Sequence, residues 1–389
     1  MSSPRIHGDW NFPTQIRFSP GAIVELAGAC RELGMSAPLL ITDQGLADLP
    51  MITEALAANE AAGLPTGLFS DVQGNPTGAN VEAGVQAYLL GEHDGVIAFG
   101  GGSALDAGKA VALMARQDRP IWDFEDIGDN WTRVIEDGLA PVVAVPTTSG
   151  TGSEVGRSSV ITNEERKKKT IIFHPSMLPA IVLSDPELTV GLPAPITAAT
   201  GIDAFVHCFE AFCVQAYHPM ADGIALEGMR LIAQALPRAY TDGGDLPARA
   251  DMLAAAAMGA TAFQKGLGGV HALAHPIGAH FDVHHGLANA IFLPYVMRAN
   301  RPAIEDRMQP LARLLDLPGG DFDAVLAWVL DFRQRLGIPH SLAEIGLGED
   351  RAEEMGALAH ADPVAGGNPL PLGVEDYVRL YREAVNGEI

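Results

Sequence analysis

The feature that most constrains this chain is a change of sequence pattern near its midpoint. In the first half, short apolar runs alternate with segments of helical period, whereas in the second half long Ala-, Leu- and Met-rich helical stretches follow one another. Short buried runs separated by helices are typical of βαβ units around a parallel sheet. The pattern therefore predicts an α/β domain followed by an all-helical domain.

The positions of these segments set the predicted domain boundary. The strand-like runs of the first half lie at 38–42, 95–99, 141–146 and 180–183. Helical segments between them are predicted at 52–62, 81–90 and 104–116. A proline-rich stretch at 192–195 marks a linker, so the α/β domain is predicted at 1–191 and the helical domain at 192–389, a size of roughly 100–200 residues each. The Gly/Pro-rich stretch at 361–373 is predicted to be a loop.

Composition excludes several classes of partner. The chain of 389 residues carries 48 acidic and 25 basic residues, a formal net charge of −23, and 48% of its residues are hydrophobic. Such a surface repels nucleic acid and offers no basic patch to a membrane. The N-terminus lacks the pattern of a signal peptide. The apolar stretch at 252–263 is shorter than the roughly 20 residues that span a bilayer. With three cysteines and no disulfide pattern, a cytoplasmic location is expected.

A glycine-rich turn follows the second apolar run. The sequence Gly-Gly-Gly-Ser at 100–103 comes directly before a helical segment, where backbone N–H groups at a helix start suit a pyrophosphate. Ser103 is predicted to cap this helix together with Asp106 in a capping box. Lys109, one of five lysines in the chain, would add positive charge. A glycine turn between strand and helix is also ordinary in α/β folds, so this motif alone leaves phosphate binding open.

Two further segments point to a nucleotide. The sequence PTTSGTGSE at 146–154 follows the third apolar run and is dense in hydroxyls and glycines, which commonly contact nucleotides at the ends of parallel strands. Asp43 follows the first apolar run and could accept hydrogen bonds from an adenosine ribose, which favours NAD over NADP. The alternatives are a flexible surface loop for 146–154 and a helix or turn cap for Asp43.

Histidines and one aspartate in the second half have the spacing of metal ligands. Asp203 and His207 stand four residues apart in a helical segment, as do His271 and His275. The segment 271–285 contains five of the 12 histidines of the chain. Aspartate with histidines is a mixed oxygen and nitrogen set that suits Fe²⁺ or, alternatively, Zn²⁺. The alternative is an Asp–His hydrogen bond without a metal.

Four motifs, in order, resemble those of the iron-containing (group III) alcohol dehydrogenases. They are GGGSALDAGK at 100–109, PTTSGTGSE at 146–154, TGIDAFVH at 200–207 and the histidine-rich segment at 271–294, with Asn-Pro at 368–369. The resemblance implies a dehydroquinate-synthase-like fold, in which a Rossmann-like domain precedes a helical domain and a cleft holds NAD(P) and a divalent metal. Members of this family are often homodimers or larger homo-oligomers.

Matching positions carry the family's site residues onto this chain. The metal ligands implied are Asp203, His207, His271 and His285. His275 matches a histidine near the nicotinamide that is not a ligand. The predicted cofactor contacts are Asp43, Asn75, Gly101, Gly102, Ser103, Asp106, Thr147, Thr148, Thr151 and Lys169.

This chain departs from the family pattern at several positions. His284 replaces a proline found in many members and competes with His285 as a ligand, and His280 stands in the same segment. Arg157 and Val364 stand where other members have different residues near the substrate. The substrate preference of any one member is therefore not transferred.

The activity implied is a reversible, NAD-linked oxidation of a small alcohol to an aldehyde or ketone by hydride transfer, with a metal binding the alcohol oxygen. A proton relay through the ribose hydroxyl and His275 is expected to accompany it. Arg157 could bind a carboxylate, which makes an ω-hydroxy acid or semialdehyde dehydrogenase an alternative activity. The alternative role of Arg157 is a surface salt bridge. Zinc polyol dehydrogenases and a lyase of the related fold, and a binding protein without catalysis, are the remaining alternatives.

Overall fold

The structure, a computed structural model, describes residues 14–389 and the backbone of a strand at Gly8–Trp10. Its contacts divide the chain into two compact units. One unit comprises residues 1–148 and 152–191, and the other comprises 149–151 and 192–389. The N-terminal segment, for which the sequence predicts no signal peptide, includes residues 1–7, which lie outside the described part. The assignment of cofactor binding to 1–191 and of metal binding to 192–389 stays a prediction.

A mostly parallel sheet forms the centre of the first unit. In the described part of the chain its seven strands follow the order β1-β2-β9-β6-β5-β3-β4, and only the β1–β2 pair is antiparallel. A separate two-stranded sheet joins β7 to β8. The strands are β1 Gly8–Trp10, β2 Gln15–Phe18, β3 Leu39–Ile41, β4 Gly67–Phe69, β5 Val96–Gly100, β6 Val142–Pro146, β7 Ser158–Asn163, β8 Lys168–Phe173 and β9 Ile181–Ser184.

The apolar runs of the sequence become the buried strands of this sheet. All residues of β3, β5, β6 and β9 are buried, as expected where helices cover both faces of a parallel sheet. The helices of this unit are α1 Leu26–Glu32, α2 Pro50–Ala61, α3 Gly78–Leu90 and α4 Gly102–Met114. The fold class predicted from the alternation is confirmed.

The hairpin β7–β8 was not expected from the sequence. Its strands pair antiparallel, with Ser158 opposite Phe173 and Asn163 opposite Lys168. Burial alternates along β7, which reads SSVITN and offers few apolar residues. Such a strand has a weaker sequence signal than the continuous apolar runs of the parallel sheet.

The second unit is helical throughout. Its helices are α5 Ala194–Cys213, α6 Pro219–Thr241, α7 Leu246–Ala262, α8 Gly269–Phe281, α9 His285–Ala299, α10 Arg301–Leu314, α11 Phe322–Arg335, α12 Ala352–His360 and α13 Val374–Asn386. The predicted linker at 192–195 is partly helical, because α5 begins at Ala194 with a proline in its first turn, where no N–H is needed. The sequence pattern missed α10, which is rich in charged residues, and the short α12.

Helix α5 lies in the core of the second unit. Among the described residues it alone has the length and apolar composition to cross a membrane. However, 94% of its most apolar stretch is buried within the protein. Its neighbours include α6, α7 and α9. Burial on all sides is typical of a core helix, and it explains why most side chains of α5 are apolar.

Candidate active site

Helix α5 carries two side chains of the predicted metal site. Asp203 and His207 lie on one face, because four residues are close to the helical repeat of about 3.6. Both side chains are buried. Burial lowers the pKa of His207 to about 4, although Asp203 opposes this shift. The imidazole is therefore neutral near pH 7 and has the lone pair that a metal ion requires.

Helices α8 and α9 carry the other two side chains. His271 lies in the first turn of α8, and His285 is the first residue of α9. The start of α9 comes close to α5 because residue 286 is glycine: a Cβ there would lie 2.4 Å from the carbonyl oxygen of Ala199. Ligand-type atoms of four residues thus lie within 4.8 Å of one another, namely those of Asp203, His207, His271 and His285.

Ligand-type atoms of three of these residues surround the side-chain amide of Asn289. Its Nδ2 lies 2.7 Å from Asp203 Oδ1 and 3.1 Å from Nε2 of both His271 and His285. A carboxylate and imidazole nitrogens directed at one largely buried point form a mixed donor set that binds Fe²⁺ or Zn²⁺. These residues therefore fit a divalent metal ion.

Glu210 orients one of the imidazoles. Its carboxylate accepts a hydrogen bond from His271 Nδ1 over 2.6 Å and another from the Val270 N–H over 2.8 Å. The proton of the His271 ring is thereby placed on Nδ1, and Nε2 faces the other donors with its lone pair. Glu210 lies on α5, three residues after His207. One helix therefore carries two predicted metal ligands and the residue that orients a third.

His275 lies next to the donor set without being part of it. It follows His271 by one turn of α8, and its ring centroid is 5.5 Å from that of His285. Its Nδ1 is 2.9 Å from Asp362 Oδ2. The other oxygen of Asp362 accepts the Val364 N–H, which fixes the carboxylate. Because Nδ1 faces a carboxylate, Nε2 is the nitrogen with which His275 can exchange a proton.

The two competing histidines have other contacts. His280 lies near the end of α8, and its Nδ1 is 2.8 Å from a guanidinium nitrogen of Arg351. His284 is the N-cap of α9, where its Nδ1 accepts the Leu287 N–H over 3.4 Å. The structure therefore places His285 in the four-residue group and neither His280 nor His284.

The glycine-rich turn lies where β5 ends and α4 begins. Gly100 has a φ of +149°, which side chains rarely allow, and a Cβ at Gly101 would lie 3.2 Å from Thr148 Cγ2. Thr147 donates its N–H to the carbonyl oxygen of Gly100 over 3.0 Å. Adjacent strands β5 and β6 thus bring the glycine-rich turn and residues 146–148 of the second predicted cofactor loop together within the first unit. The absence of side chains on the glycines leaves room for a phosphate at the helix start.

The capping role predicted for Ser103 is wrong. Helix α4 begins at Gly102, two residues earlier than a Ser103 cap requires, and its N-cap is Gly101 without a side-chain hydrogen bond. Asp106 is engaged elsewhere: it accepts hydrogen bonds from Ser153 Oγ at 2.5 Å and from the Val160 N–H at 2.9 Å.

The sequence suggested that Lys109 adds positive charge beside a bound phosphate, but the structure shows its ammonium group engaged within the protein. It is 1% exposed, and its Nζ donates to the carbonyl oxygens of Ser153 and Ser158 and lies 3.3 Å from Asp106. Burial lowers the pKa of Lys109, which Asp106 and Glu154 oppose. Lys109 therefore links α4 to the end of the second loop and to the start of β7.

The remaining predicted cofactor residues are distributed over several segments. Asp43 accepts the N–H groups of Gly45 and Leu46 through one oxygen, so it caps the turn after β3. Asn75 has a φ of +55°, the left-handed conformation that asparagine tolerates better than most residues. Lys169 lies in β8, and Thr151 belongs to the second unit. Their contacts with a cofactor stay predictions.

The two positions at which the substrate preference could differ lie in different units. Arg157 is exposed, and its guanidinium lies 5.7 Å from the centroid of the Phe173 ring. Burial raises the pKa of the Asp126 carboxyl, and the charge of Arg157 opposes this shift. Val364 lies in a short turn of helix in the second unit, and its side chain packs against the helical core.

Three residues of the site were missed from the sequence, namely Glu210, Asn289 and Asp362. For two of them a signal was available. Glu210 continues the helical spacing of Asp203 and His207, and Asn289 follows His285 by four residues. Asp362 lies about 90 residues from its partner His275, a separation at which residue spacing carries no information.

Comparison with known proteins identifies the family. A model described as iron-containing alcohol dehydrogenase matches residues 13–186, and one described as the C-terminal part of the Fe-containing alcohol dehydrogenase family matches 197–385. A 4-hydroxybutyrate dehydrogenase of Cupriavidus necator is 39% identical over 382 residues, which cover 96% of this chain and 98% of that protein.

Solved structures agree with this result. A crystal structure of a 1,3-propanediol oxidoreductase superposes with a TM-score of 0.89 at 33% identity, covering 94% of this chain and 96% of that one. A sulfoacetaldehyde reductase of Bifidobacterium kashiwanohense in complex with NAD⁺ superposes with a TM-score of 0.86 at 28% identity, covering 98% of each chain. Relatives in this family include NAD-dependent enzymes, and the group formed by Asp203, His207, His271 and His285 could hold the metal. The chain is thus an oxidoreductase that belongs to the iron-containing alcohol dehydrogenase family.

Proposed function

We propose that Asp203, His207, His271 and His285 hold the iron ion with which this enzyme interconverts a small alcohol and its aldehyde or ketone. The observation that supports this proposal most directly is the convergence of their ligand-type atoms within 4.8 Å. When bound, iron supplies Lewis acidity toward the substrate oxygen, and NAD supplies the hydride acceptor or donor.

The protein's own residues would orient the reactants and move a proton. His275, held through Nδ1 by Asp362, would exchange the alcohol proton at Nε2. The glycines at 100–102 and the N–H groups at the start of α4 would bind the pyrophosphate. The carboxylate of Asp43 would accept hydrogen bonds from the adenosine ribose and disfavour a 2′-phosphate.

This proposal is tested by elemental analysis of the purified protein combined with the absorbance of NADH in a screen of short alcohols, diols and hydroxy acids. We expect close to one iron per chain and accumulation of NADH. Zinc as the activating metal would favour a polyol dehydrogenase, turnover without NADH would indicate a lyase, and no turnover would indicate a binding protein. Each of these three results contradicts the proposal.

A second, narrower proposal is that the substrate carries an anionic group at the end opposite its alcohol, as in an ω-hydroxy acid or its semialdehyde. Two relatives are named for such substrates, 4-hydroxybutyrate and sulfoacetaldehyde. In this chain, the exposed guanidinium of Arg157 offers the charge-assisted, bidentate hydrogen bonding that selects a carboxylate.

The Arg157→Ala variant should lose activity toward succinic semialdehyde but not toward butanal. A hydrogen bond to a charged group is worth about 1.5–3 kcal/mol, so kcat/KM for the acid should fall roughly 10- to 150-fold. Arg166→Ala is the matched control, because Arg166 is also exposed and its guanidinium lies 3.6 Å from the carboxylate of Glu125. Equal losses for both aldehydes, or no loss for the acid, would contradict a role of Arg157 in binding the carboxylate.

We also propose that the enzyme acts in the cytoplasm as a homodimer or larger homo-oligomer. The resemblance to the family supports the assembly, and the composition supports the location. Light scattering is expected to give a mass at least twice the 40.9 kDa of one chain. A monomeric mass at micromolar concentration would contradict the assembly, and recovery of the protein outside the cytoplasmic fraction would contradict the location.

A further inference from the structure

Asn289 has an unusual set of neighbours. The residue is 0% exposed. Its Nδ2 lies 2.7–3.1 Å from the atoms with which three of the four predicted ligands would bind a metal. An amide NH₂ group can only donate hydrogen bonds. Its partial positive charge is therefore directed at the lone pairs that a metal ion would use.

The tautomer of His271 is consistent with a hydrogen bond donated by the Asn289 amide. His271 Nδ1 faces the Glu210 carboxylate at 2.6 Å and so carries the ring proton, which leaves Nε2 as an acceptor. His285 Nε2, at 3.1 Å from Asn289 Nδ2, must also accept, because the amide has no lone pair to offer there. Hydrogen bonding to Asn289 thus selects the tautomer in which Nε2 is available to a metal.

Hydrogen bonding and metal coordination exclude each other at these two imidazoles. A neutral imidazole has one acceptor nitrogen with a single lone pair, so Nε2 cannot accept from Asn289 and bind a metal at once. A carboxylate oxygen has two lone pairs, and Asp203 Oδ1 can keep its bond to Asn289 in both states. The NH₂ group has two hydrogens for three acceptors, and the shortest contact is the one to Asp203, so the two imidazoles share the second hydrogen. Asn289 must therefore give up this shared hydrogen bond to the histidines, but not its bond to Asp203, when the site is loaded.

We propose that Asn289 takes the place of the cation in the metal-free enzyme. Its amide stabilises the buried Asp203 carboxylate by a hydrogen bond and keeps His271 and His285 oriented for binding, and it yields the two imidazoles to the incoming ion. Asn289 is in this sense a positioning residue that acts through the ligands. Its contribution to stability is larger in the metal-free form than in the loaded form, which is the property that distinguishes it from a residue that only packs.

The test compares melting temperatures of the full-length protein in two forms, metal-free and saturated with Fe²⁺ under anaerobic conditions. Asn289→Leu, which keeps the shape but removes the donor, should lower the Tm of the metal-free form by about 2–4 °C more than that of the loaded form. Asn289→Asp should show the same sign with a larger difference, because it adds a second carboxylate beside Asp203.

Asn300→Leu serves as the matched control. Asn300 is also a buried asparagine of the helical unit, and its side chain pairs with Asn368 rather than with a predicted ligand. Its replacement should lower both melting temperatures equally. Equal losses in the two forms for Asn289→Leu would overturn the proposal, as would a larger loss in the loaded form, which would indicate that the Asn289 amide oxygen binds the metal. These Tm differences are read without turnover, so they are independent of the substrate proposed above.

Discussion

Replacement of His271 by alanine is expected to abolish both iron binding and turnover. His271 contributes one of four converging donor atoms and is the donor held in place by Glu210. Losing a group that merely orients a ligand costs roughly 10- to 100-fold in metal affinity, and losing the ligand itself should cost more. Lewis-acid activation is worth several kcal/mol, so turnover should fall by about a thousandfold or more.

The measurement is iron content after dialysis together with kcat on the best alcohol of the screen. His360→Ala is the control: His360 is an exposed histidine at the end of α12 whose Nδ1 contacts only a backbone carbonyl among its described hydrogen bonds. It should keep both iron and activity. A His271→Ala protein that retains iron and normal turnover would show that the metal site, as proposed, is incorrect.

Replacement of His275 by alanine is expected to lower turnover without changing the iron content. Iron content should be unchanged, because His275 is not among the four converging donors. Turnover should fall by about 10²–10⁴-fold, the usual contribution of a general acid–base group. The Asp362→Asn variant should fall less, since it weakens the orientation of the imidazole but leaves the imidazole in place.

Addition of imidazole to the medium provides the decisive control for this second variant. A small base that enters the space left by the side chain should restore part of the activity of His275→Ala and none of that of His271→Ala. Loss of iron in His275→Ala would instead make His275 a ligand. Full activity in the variant would show that the proton leaves by another route.

Much of the fold follows from local patterns. The strands β5 and β6 are continuous apolar runs because both faces of a parallel sheet are covered, and such runs can be identified without knowledge of their partners. Helix α5 is detected for the same reason. The hairpin β7–β8 escapes this reasoning, because its alternating and partly polar strands depend on each other for stability.

The candidate site likewise contains residues whose arrangement follows from local sequence spacing and residues whose arrangement depends on tertiary packing. Asp203 and His207 are four residues apart in one helix, and the sequence alone places them on one face. The choice between His284 and His285 depends instead on the start of α9, where His284 caps the helix and His285 becomes its first residue. The engagement of Lys109 by backbone carbonyls could not be foreseen, because those carbonyls lie more than 40 residues away in sequence.

The sequence by itself determined the two-part architecture, the glycine turn after a strand and the presence of a metal-binding set of residue types. These are properties of spacing within one element, and they depend on helical and strand periodicity. Only the tertiary structure decided which histidines meet, that Glu210 and Asn289 contact their ring nitrogens, and that Asp362 contacts His275. Those contacts join helices that are far apart in sequence, and their geometry is set by the packing of the helical core.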